Sequence, residues 1–183
     1  MRIAAVVLAA GASSRFGEAK QFARFCGEPL LARAIKAARG AGCAPICVVT
    51  GAQTVSVVDV RIVPNEQWAR GIGTSIRAGV QQLPEECEAA ILTTCDQPLV
   101  TAESLRRLIK VNARIAAAEY SGTVGIPAFF ARSEFASLLA LADDEGAKKL
   151  ILAPHAARVP MPEAAADVDT PADLAQLERG HEV

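Results

Sequence analysis

The amino-acid sequence predicts an α/β fold in which a mostly parallel sheet is covered by helices on both faces. Apolar runs such as residues 3–9 and 89–94 do not alternate with polar residues, as expected for strands buried on both faces. Helical patterns with one apolar face separate these runs along the chain. The 183 residues are close to the size of one average domain, so we expect a single domain over residues 1–183.

In the first part of the chain, predicted strands and helices follow one another in turn. Residues 3–9 form the first strand, which stops where Gly11 opens a segment of small residues. Residues 29–41 are predicted to be helical, because apolar side chains recur there three and four positions apart. The apolar run at residues 45–50 is the second strand, and the short run at residues 61–63 is the third.

The middle of the chain repeats this order. Residues 74–83 are predicted to be a helix and residues 89–94 a fourth strand. Thr101 is of a type that caps helices, and apolar residues at helical spacing follow it, so the next helix begins there. Residues 125–131 are apolar enough for a further strand.

The C-terminal part predicts two short helices, one strand and a last helix. The helices cover residues 133–141 and 146–152, and the strand covers residues 158–161. Thr170 suits the N-cap position and Pro171 the first helical position, so the last helix has the clearest start signal in the chain.

Charge and cysteine content argue against several classes of protein. The chain has 19 Lys and Arg against 20 Asp and Glu, a net charge of −1, which gives no overall attraction to nucleic acid or to an anionic membrane. Five Cys without a CxxC pair and only two His favour neither a zinc site nor a disulfide framework. Free thiols are typical of a reducing compartment, so we expect a cytoplasmic protein. The apolar N-terminal run is too short for a signal peptide or a membrane span.

The segment of small residues after the first strand is the strongest candidate for a ligand site. It reads LAAGASSRFGEAK over residues 8–20, and its small residues let the backbone approach a ligand closely. Arg15 and Lys20 add two cations suited to a polyphosphate. The spacing matches neither a Walker P-loop nor a GxGxxG dinucleotide site. The alternative is a solvated turn that binds nothing.

Three carboxylates follow predicted strands, where ligands of parallel sheets bind. Asp96 comes directly after the fourth strand and could hold Mg²⁺ against phosphate oxygens. Asp167 and Asp169 are two residues apart, so in an extended segment they share one face and could bind the same cation. The alternatives are that Asp96 caps a turn before Pro98 and that Asp169 helps to start the last helix.

A second small-residue segment, residues 68–79, leads into the helix predicted at residues 74–83. Its backbone groups could bind a base or a ribose. The alternative is an ordinary helix start capped by Thr74 or Ser75.

Taken in order, these segments resemble the MobA-like nucleotidyltransferases, most closely the molybdenum cofactor cytidylyltransferase branch. The pattern LAAG-x-S-x-R-F-G-x-x-K is met at residues 8–20, and CDQPLVT is met unaltered at residues 95–101. Four further patterns extend the resemblance over nearly the whole chain: G-x-P-L-L at 27–31, N-x-x-W-x-x-G-I-x-x-S-I-x-x-G at 65–79, G-x-P-x-x-F at 125–130 and D-V-D-T-P-x-D-L at 167–174. The resemblance implies a three-layer α/β/α Rossmann-like nucleotidyltransferase fold.

The resemblance also implies roles for single residues, carried over position by position. Lys20, Arg15 and Asp96 would be catalytic, and Asp96 and Asp169 would hold Mg²⁺, with Asp167 as a weaker third carboxylate. The residues implied to bind the nucleotide are Leu8, Ala9, Ala10, Gly11, Arg15, Lys20, Gly73, Thr74 and Ser75. The residues implied to bind the acceptor are Pro98, Gly125, Pro127, Asp144 and Gly146.

The implied reaction moves a nucleoside monophosphate, from CTP in this branch, to the phosphate of molybdopterin or its metal-loaded form and releases pyrophosphate. Direct hand-over of the product to a molybdoenzyme or its chaperone is an implied partnership. The chain departs from the branch at residues 143–148, where G-D-x-G-A-R is replaced by DDEGAK. That element belongs to the acceptor side. Other readings are a nucleotidyltransferase for a sugar phosphate or isoprenoid precursor, a non-catalytic nucleotide-binding chaperone, and a thiol redox or metal protein.

Overall fold

The computed structural model describes residues 1–11, 16–17, 19–51, 53 and 55–181. The strands are β1 (Ile3–Ala9), β2 (Arg24–Phe25), β3 (Glu28–Pro29), β4 (Ile46–Thr50), β5 (Arg61–Pro64), β6 (Ala89–Thr94), β7 (Ile115–Tyr120), β8 (Thr123–Ala131) and β9 (Ala157–Pro160). The helices are α1 (Leu30–Gly40), α2 (Ile72–Gln81), α3 (Ala102–Lys110), α4 (Phe135–Leu139), α5 (Lys148–Ile151) and α6 (Pro171–Arg179), with short 3-10 helices between them.

The central sheet of this described part has seven strands in the order β5-β4-β1-β6-β8-β7-β9, and β2 and β3 pair separately. Strand β1 lies in the middle of the parallel part, where Ala5 aligns with Ile46 of β4 and with Ile91 of β6. Strand β8 alone runs against its neighbours β6 and β7. The sheet is therefore mostly parallel, as predicted, with one reversed strand.

Helices cover both faces of this sheet, which confirms the three-layer architecture. On one face, α1 and α3 pack against the side chains of β1 that include Ala5 and Val7. On the other face, α2, α4 and α5 pack against the alternate side chains Ala4 and Val6. All seven residues of β1 are buried, which explains its apolar run without alternation.

Strand β7 was not predicted from the sequence. Its segment, IAAAEY, is rich in alanine, which has low intrinsic strand preference. Tertiary pairing makes it a strand, because it lies between β8 and β9 and buries its first four residues completely. The turn at Ser121 and Gly122 then joins it to β8 as an antiparallel hairpin, and both residues adopt positive φ values.

The helix starts test the predicted caps. Thr170 caps α6, because its hydroxyl accepts a hydrogen bond from the Asp173 N–H while the Asp173 carboxylate accepts one from the Thr170 N–H. Thr101 caps α3 in the same reciprocal way with Ser104. Helix α2 begins two residues earlier than predicted, at Ile72, so Thr74 and Ser75 lie inside it and are not its caps.

No helix in the described part of the chain is both long enough and apolar enough to cross a membrane. All five cysteine thiols are free, and four of them are buried.

Candidate active site

The side chain of Lys20 brings three segments of the chain together. Lys20 begins a 3-10 helix, Lys20–Phe22, that follows the segment of small residues. Its ammonium group donates hydrogen bonds to Asp96 Oδ2 at 2.7 Å and to Asp169 Oδ1 at 3.2 Å. A third hydrogen bond reaches the carbonyl oxygen of Val168 at 3.2 Å. Lys20 thus joins the end of β6 to the start of α6.

The electrostatics at Lys20 reflect two opposing effects. Burial has the largest single influence on the pKa of Lys20 and lowers it, because the charged form loses hydration. The charges and hydrogen bonds of Asp96 and Asp169 raise this pKa, and together they outweigh burial. The net result is a pKa above the ordinary value of 10.5, so Lys20 carries its charge at neutral pH.

Asp96, Asp167 and Asp169 form a carboxylate cluster. Each offers one oxygen, and these oxygens lie within 4.8 Å of one another. Val168 is fully buried between the two later aspartates, and its N–H donates to the Asp96 carbonyl at 2.9 Å, which holds the segments side by side. The predicted shared face of Asp167 and Asp169 is therefore present. Three carboxylate oxygens at this spacing fit a hard divalent cation, and the Lys20 ammonium already neutralises part of their charge.

A cleft of about 250 Å³ opens beside this cluster, at the carboxyl ends of β1 and β6. It brings together most of the residues expected to bind the nucleotide. Its lining consists of Leu8, Ala9, Ala10, Gly11, Lys20, Gln21, Trp68, Ile72, Ser75, Thr94, Cys95 and Asp96. Gly73 and Thr74 are next to this lining but not part of it, and Arg15 lies outside the described residues.

Asn65 holds the start of α2 against the cleft. Its side-chain amide donates to the hydroxyls of Thr74 at 2.9 Å and of Ser75 at 3.0 Å. The Thr74 hydroxyl in turn donates to the Gly71 carbonyl at 2.7 Å. Thr74 therefore serves the fold of the loop, whereas Ser75 also lines the cleft. Asn65 belongs to the pattern at residues 65–79, which by itself indicates no role for this side chain.

The segment that departs from the branch pattern, residues 143–148, packs against the same loop. The Gly73 N–H donates to the Asp143 carbonyl at 2.9 Å, and a Cβ at Gly73 would lie 1.9 Å from the Ala142 carbonyl oxygen. Gly71 has a φ of 137°, and a Cβ there would lie 2.4 Å from the Asp143 carbonyl oxygen. The two glycines are required because backbone meets backbone here.

Arginine side chains fix this contact. Arg77 donates to the Leu141 carbonyl and to the Asp143 carboxylate, and Arg70 also pairs with Asp143. The hydrogen bond from Arg77 is the largest influence that lowers the pKa of Asp143 below its ordinary value, and the Arg70 and Arg77 charges lower it further. The acidic residue at position 143 is thus an anchor of the segment.

The five residues expected to bind the acceptor lie in different parts of the structure. Asp144 is exposed, and Gly146 lies beside Ile72 at the rim of the cleft. Gly125 contacts Tyr120 on the other side of the carboxylates. The other two, Pro98 and Pro127, are buried. The Pro98 carbonyl oxygen accepts hydrogen bonds from Arg33. The structure does not bring these five together in one place.

A second cavity, of about 210 Å³, lies on the side of the hairpin β7-β8. It shares Thr94 and Asp96 with the first cleft. Its other lining residues are Gln97, Tyr120, Ile126, Ala164, Ala165 and Asp167. The carboxylate cluster therefore lies between two cavities.

Gln97 and Tyr120 were missed as site residues. The Gln97 amide donates to the carbonyls of Ile126 at 3.1 Å and Ala164 at 2.8 Å, which fixes the wall of the second cavity. Burial is the largest influence that raises the pKa of Tyr120, and the Asp167 charge raises it further. Tyr120 belongs to the unpredicted strand β7, so only the position of Gln97 beside Asp96 in CDQPLVT could have drawn attention to this cavity.

The remaining titratable candidates do not suit catalysis. Burial raises the pKa of the Cys43 and Cys95 thiols to about 12, which keeps both protonated and unreactive at neutral pH. His155 is exposed in a turn. The Cys43 and Cys95 thiols therefore give no support to a thiol redox function.

The chain is similar to a known protein family and to individual curated proteins. A family model described as MobA-like NTP transferase domain matches residues 5–159. Among curated proteins, the chain is 34% identical over 128 residues to the "Bifunctional IPC transferase and DIPP synthase" of Rubrobacter xylanophilus, a match over 63% of this chain and 28% of that protein. It is 33% identical over 124 residues to the "Bifunctional protein GlmU" of Trichlorobacter lovleyi, over 63% and 27% of the two chains. The chain thus spans less than a third of the length of these relatives.

Solved structures resemble the chain over its full length. Rv0371c from Mycobacterium tuberculosis superposes with a TM-score of 0.84 at 28% identity, over 98% of both chains. A complex of Rv0371c with manganese superposes with a TM-score of 0.81 at 27% identity, over 98% of this chain and 99% of that chain. The fold of the chain is therefore that of a known group of proteins.

Proposed function

Because the chain belongs to the MobA-like NTP transferase family and is a nucleotidyltransferase, we propose that it transfers CMP from CTP to the phosphate of a molybdopterin-type acceptor and releases pyrophosphate. The observation that carries the proposal is the position of the carboxylate cluster between two cavities that share Thr94 and Asp96. The cleft beside β1 is assigned to the nucleoside triphosphate and the cavity beside the hairpin to the acceptor.

The two assignments follow from the chemistry of the linings. The first cleft combines the small residues Ala9, Ala10 and Gly11, which leave room for a ligand near the backbone, with the cation of Lys20. The second cavity has hydrogen-bonding groups on Gln97 and Tyr120 but no Lys or Arg among its described lining residues. A polyphosphate suits the first better, and a neutral polar ring system suits the second.

Charge repulsion is the main obstacle to the reaction, because donor and acceptor are both anionic. Asp96, Asp167 and Asp169 would hold Mg²⁺, which when bound neutralises phosphate charge and acts as a Lewis acid. Lys20 would stabilise the charge that develops on the leaving pyrophosphate, together with Arg15 of the segment outside the described residues. A phosphate nucleophile is already ionised at neutral pH, so the site needs no general base.

A second candidate is a nucleotidyltransferase for another phosphorylated acceptor, such as a sugar phosphate or an isoprenoid precursor. The observation that favours it is the departure of residues 143–148 from the branch pattern, at an element that the resemblance places on the acceptor side. One of the two curated relatives is named an IPC transferase and DIPP synthase, and neither name mentions a molybdenum cofactor.

One assay separates the two candidates. Pyrophosphate release is measured from CTP, GTP, ATP and UTP with Mg²⁺ or Mn²⁺, with and without molybdopterin and its molybdenum-loaded form. Release that requires both CTP and the pterin supports the proposal. Release from an NTP that requires a sugar phosphate or an isoprenoid phosphate supports the second candidate and contradicts the first. Hand-over of the product to a molybdoenzyme or its chaperone, and a cytoplasmic location, stay predictions.

A further inference from the structure

Gln21 is a buried polar residue whose side-chain nitrogen has no protein partner. It follows Lys20 on the 3-10 helix Lys20–Phe22, is 2% exposed, and lines the cleft assigned to the nucleotide. Its Nε2 atom is buried and makes no hydrogen bond within the part of the chain that the structure describes. No other buried side-chain nitrogen or oxygen of that part is in this situation.

Gln97, the other buried glutamine of the site, shows the usual state of such a side chain. It is 9% exposed, and its Nε2 atom donates two hydrogen bonds, to Ile126 and Ala164. Buried amides are almost always partnered in this way, because an unpartnered donor has lost its hydration without compensation. Gln21 thus lowers the stability of the free protein, and a group that enters the cleft could restore its hydrogen bond.

The surroundings of Gln21 indicate which ligand group this is. The nearest polar neighbour along the chain is Lys20, whose ammonium group lies at the carboxylate cluster, at the end of the cleft where phosphate groups are expected. Lys20 and Gln21 are consecutive residues of one 3-10 helix, and both line the cleft. An amide N–H donates to a phosphate oxygen without adding charge and without competing for the carboxylates.

We propose that Gln21 is a binding residue of the nucleoside triphosphate and that its Nε2–H donates a hydrogen bond to an oxygen of the triphosphate. This inference rests on the proposed function, because it takes the cleft to hold a nucleoside triphosphate. We therefore expect the free protein to be less stable with Gln21 than with an apolar side chain of the same shape. We expect binding of the ligand to reverse that order.

The test compares Gln21→Met with Gln97→Met. Methionine has nearly the shape of glutamine and removes the amide without opening a cavity. In the free protein, we expect Gln21→Met to raise Tm and Gln97→Met to lower it. A fall in Tm for Gln21→Met would show that the amide is already satisfied in the free protein, and it would overturn the proposal.

Binding is then measured by calorimetry with CTP, inorganic pyrophosphate and cytidine, without any acceptor. We expect Gln21→Met to weaken CTP and pyrophosphate by about tenfold and to leave cytidine unchanged. Equal weakening of CTP and cytidine would place the contact on the base or sugar and contradict the assignment to phosphate. Unchanged CTP affinity would also contradict it.

A second variant guards against a folding defect of the first. Gln21→Glu keeps the shape and replaces the donor with a negative charge, so it should weaken CTP and pyrophosphate at least as much as Gln21→Met does. If the wild-type protein binds none of the four nucleoside triphosphates, the proposed function itself is refuted. If the wild-type protein binds CTP but the Gln21 variants bind it equally tightly, only the role of Gln21 is refuted.

Discussion

The ammonium nitrogen of Lys20 lies 2.7 Å from Oδ2 of Asp96, although the two residues are 76 positions apart in the sequence. Both side chains are largely shielded from solvent, with 15% and 19% of their surface exposed. The pair fixes the end of the small-residue segment to the end of β6. The Lys20 ammonium group therefore contacts carboxylates of the same cluster that would bind a metal cation.

Replacement of Lys20 should affect turnover far more than folding. We expect Lys20→Ala to lower kcat/KM for pyrophosphate release by about 10²–10³, the effect of removing one donor that stabilises developing charge. Lys36→Ala is the matched control, because Lys36 is exposed and pairs only at the surface with Glu28. Near-normal turnover of Lys20→Ala, with an unchanged circular dichroism spectrum, would contradict the phosphate role of Lys20.

Asp96→Asn should act through the metal. The amide keeps one oxygen but loses the charge, so we expect weaker binding of the divalent ion, with activity partly restored at high Mg²⁺ or with Mn²⁺. The control is Asp59→Asn, which changes an exposed carboxylate at a residue with a φ of 59°, a conformation that asparagine tolerates. The readout is the activity as a function of metal concentration; an identical curve for wild type and Asp96→Asn would exclude Asp96 as a ligand.

The raised pKa of Lys20 predicts how stability depends on pH. A group whose pKa is higher in the folded state stabilises the protein fully below its unfolded value of 10.5, and this contribution is lost as the pH rises through the higher folded value. We expect the free energy of unfolding of wild type to approach that of Lys20→Met above pH 10.5. Denaturant titrations of both proteins between pH 8 and pH 12 measure the difference. A difference that does not change with pH would contradict the coupling of Lys20 to the aspartates.

Gly73→Ala tests the close contact between α2 and the segment 143–148. The added Cβ would lie 1.9 Å from the Ala142 carbonyl oxygen, so backbone must move, and we expect a loss of about 3 kcal/mol in the free energy of unfolding. Gly180→Ala is the control, because its Cβ meets nothing closer than 3.5 Å. Thermal and urea denaturation of both variants provide the measurement. Equal stability of the two variants would show that the segment is not held where the structure places it.

Much of the fold was predictable because buried parallel strands and amphipathic helices leave strong patterns. The strands β1, β4 and β6 and the cap of α6 at Thr170 were predicted close to their observed positions. Strand β7 was not, because alanine carries little strand preference and the pairing that makes Ile115–Tyr120 a strand comes from residues far away in sequence.

The candidate site, like the fold, could be predicted from the sequence only in part. Lys20, Asp96 and Asp169 lie in segments next to predicted strands or helices. Because ligands of parallel sheets bind where the strands end, these residues could be expected to lie close together, as they do. Gln21 gave no signal, because a buried glutamine without a partner is visible only when its surroundings are known. Tyr120 was missed because its strand was missed.

The single reversed strand has a consequence for how such enzymes can diversify. Strand β8 pairs with β6 through four residue pairs, and the hairpin turn at Ser121 and Gly122 follows Tyr120, which lines the second cavity. An insertion or substitution in that turn changes the wall of one cavity while the register of β1 with β4 and β6 stays as it is. With the two cavities assigned as proposed, donor and acceptor preferences could therefore evolve as separate traits on one scaffold, with changes in the hairpin acting on the acceptor side.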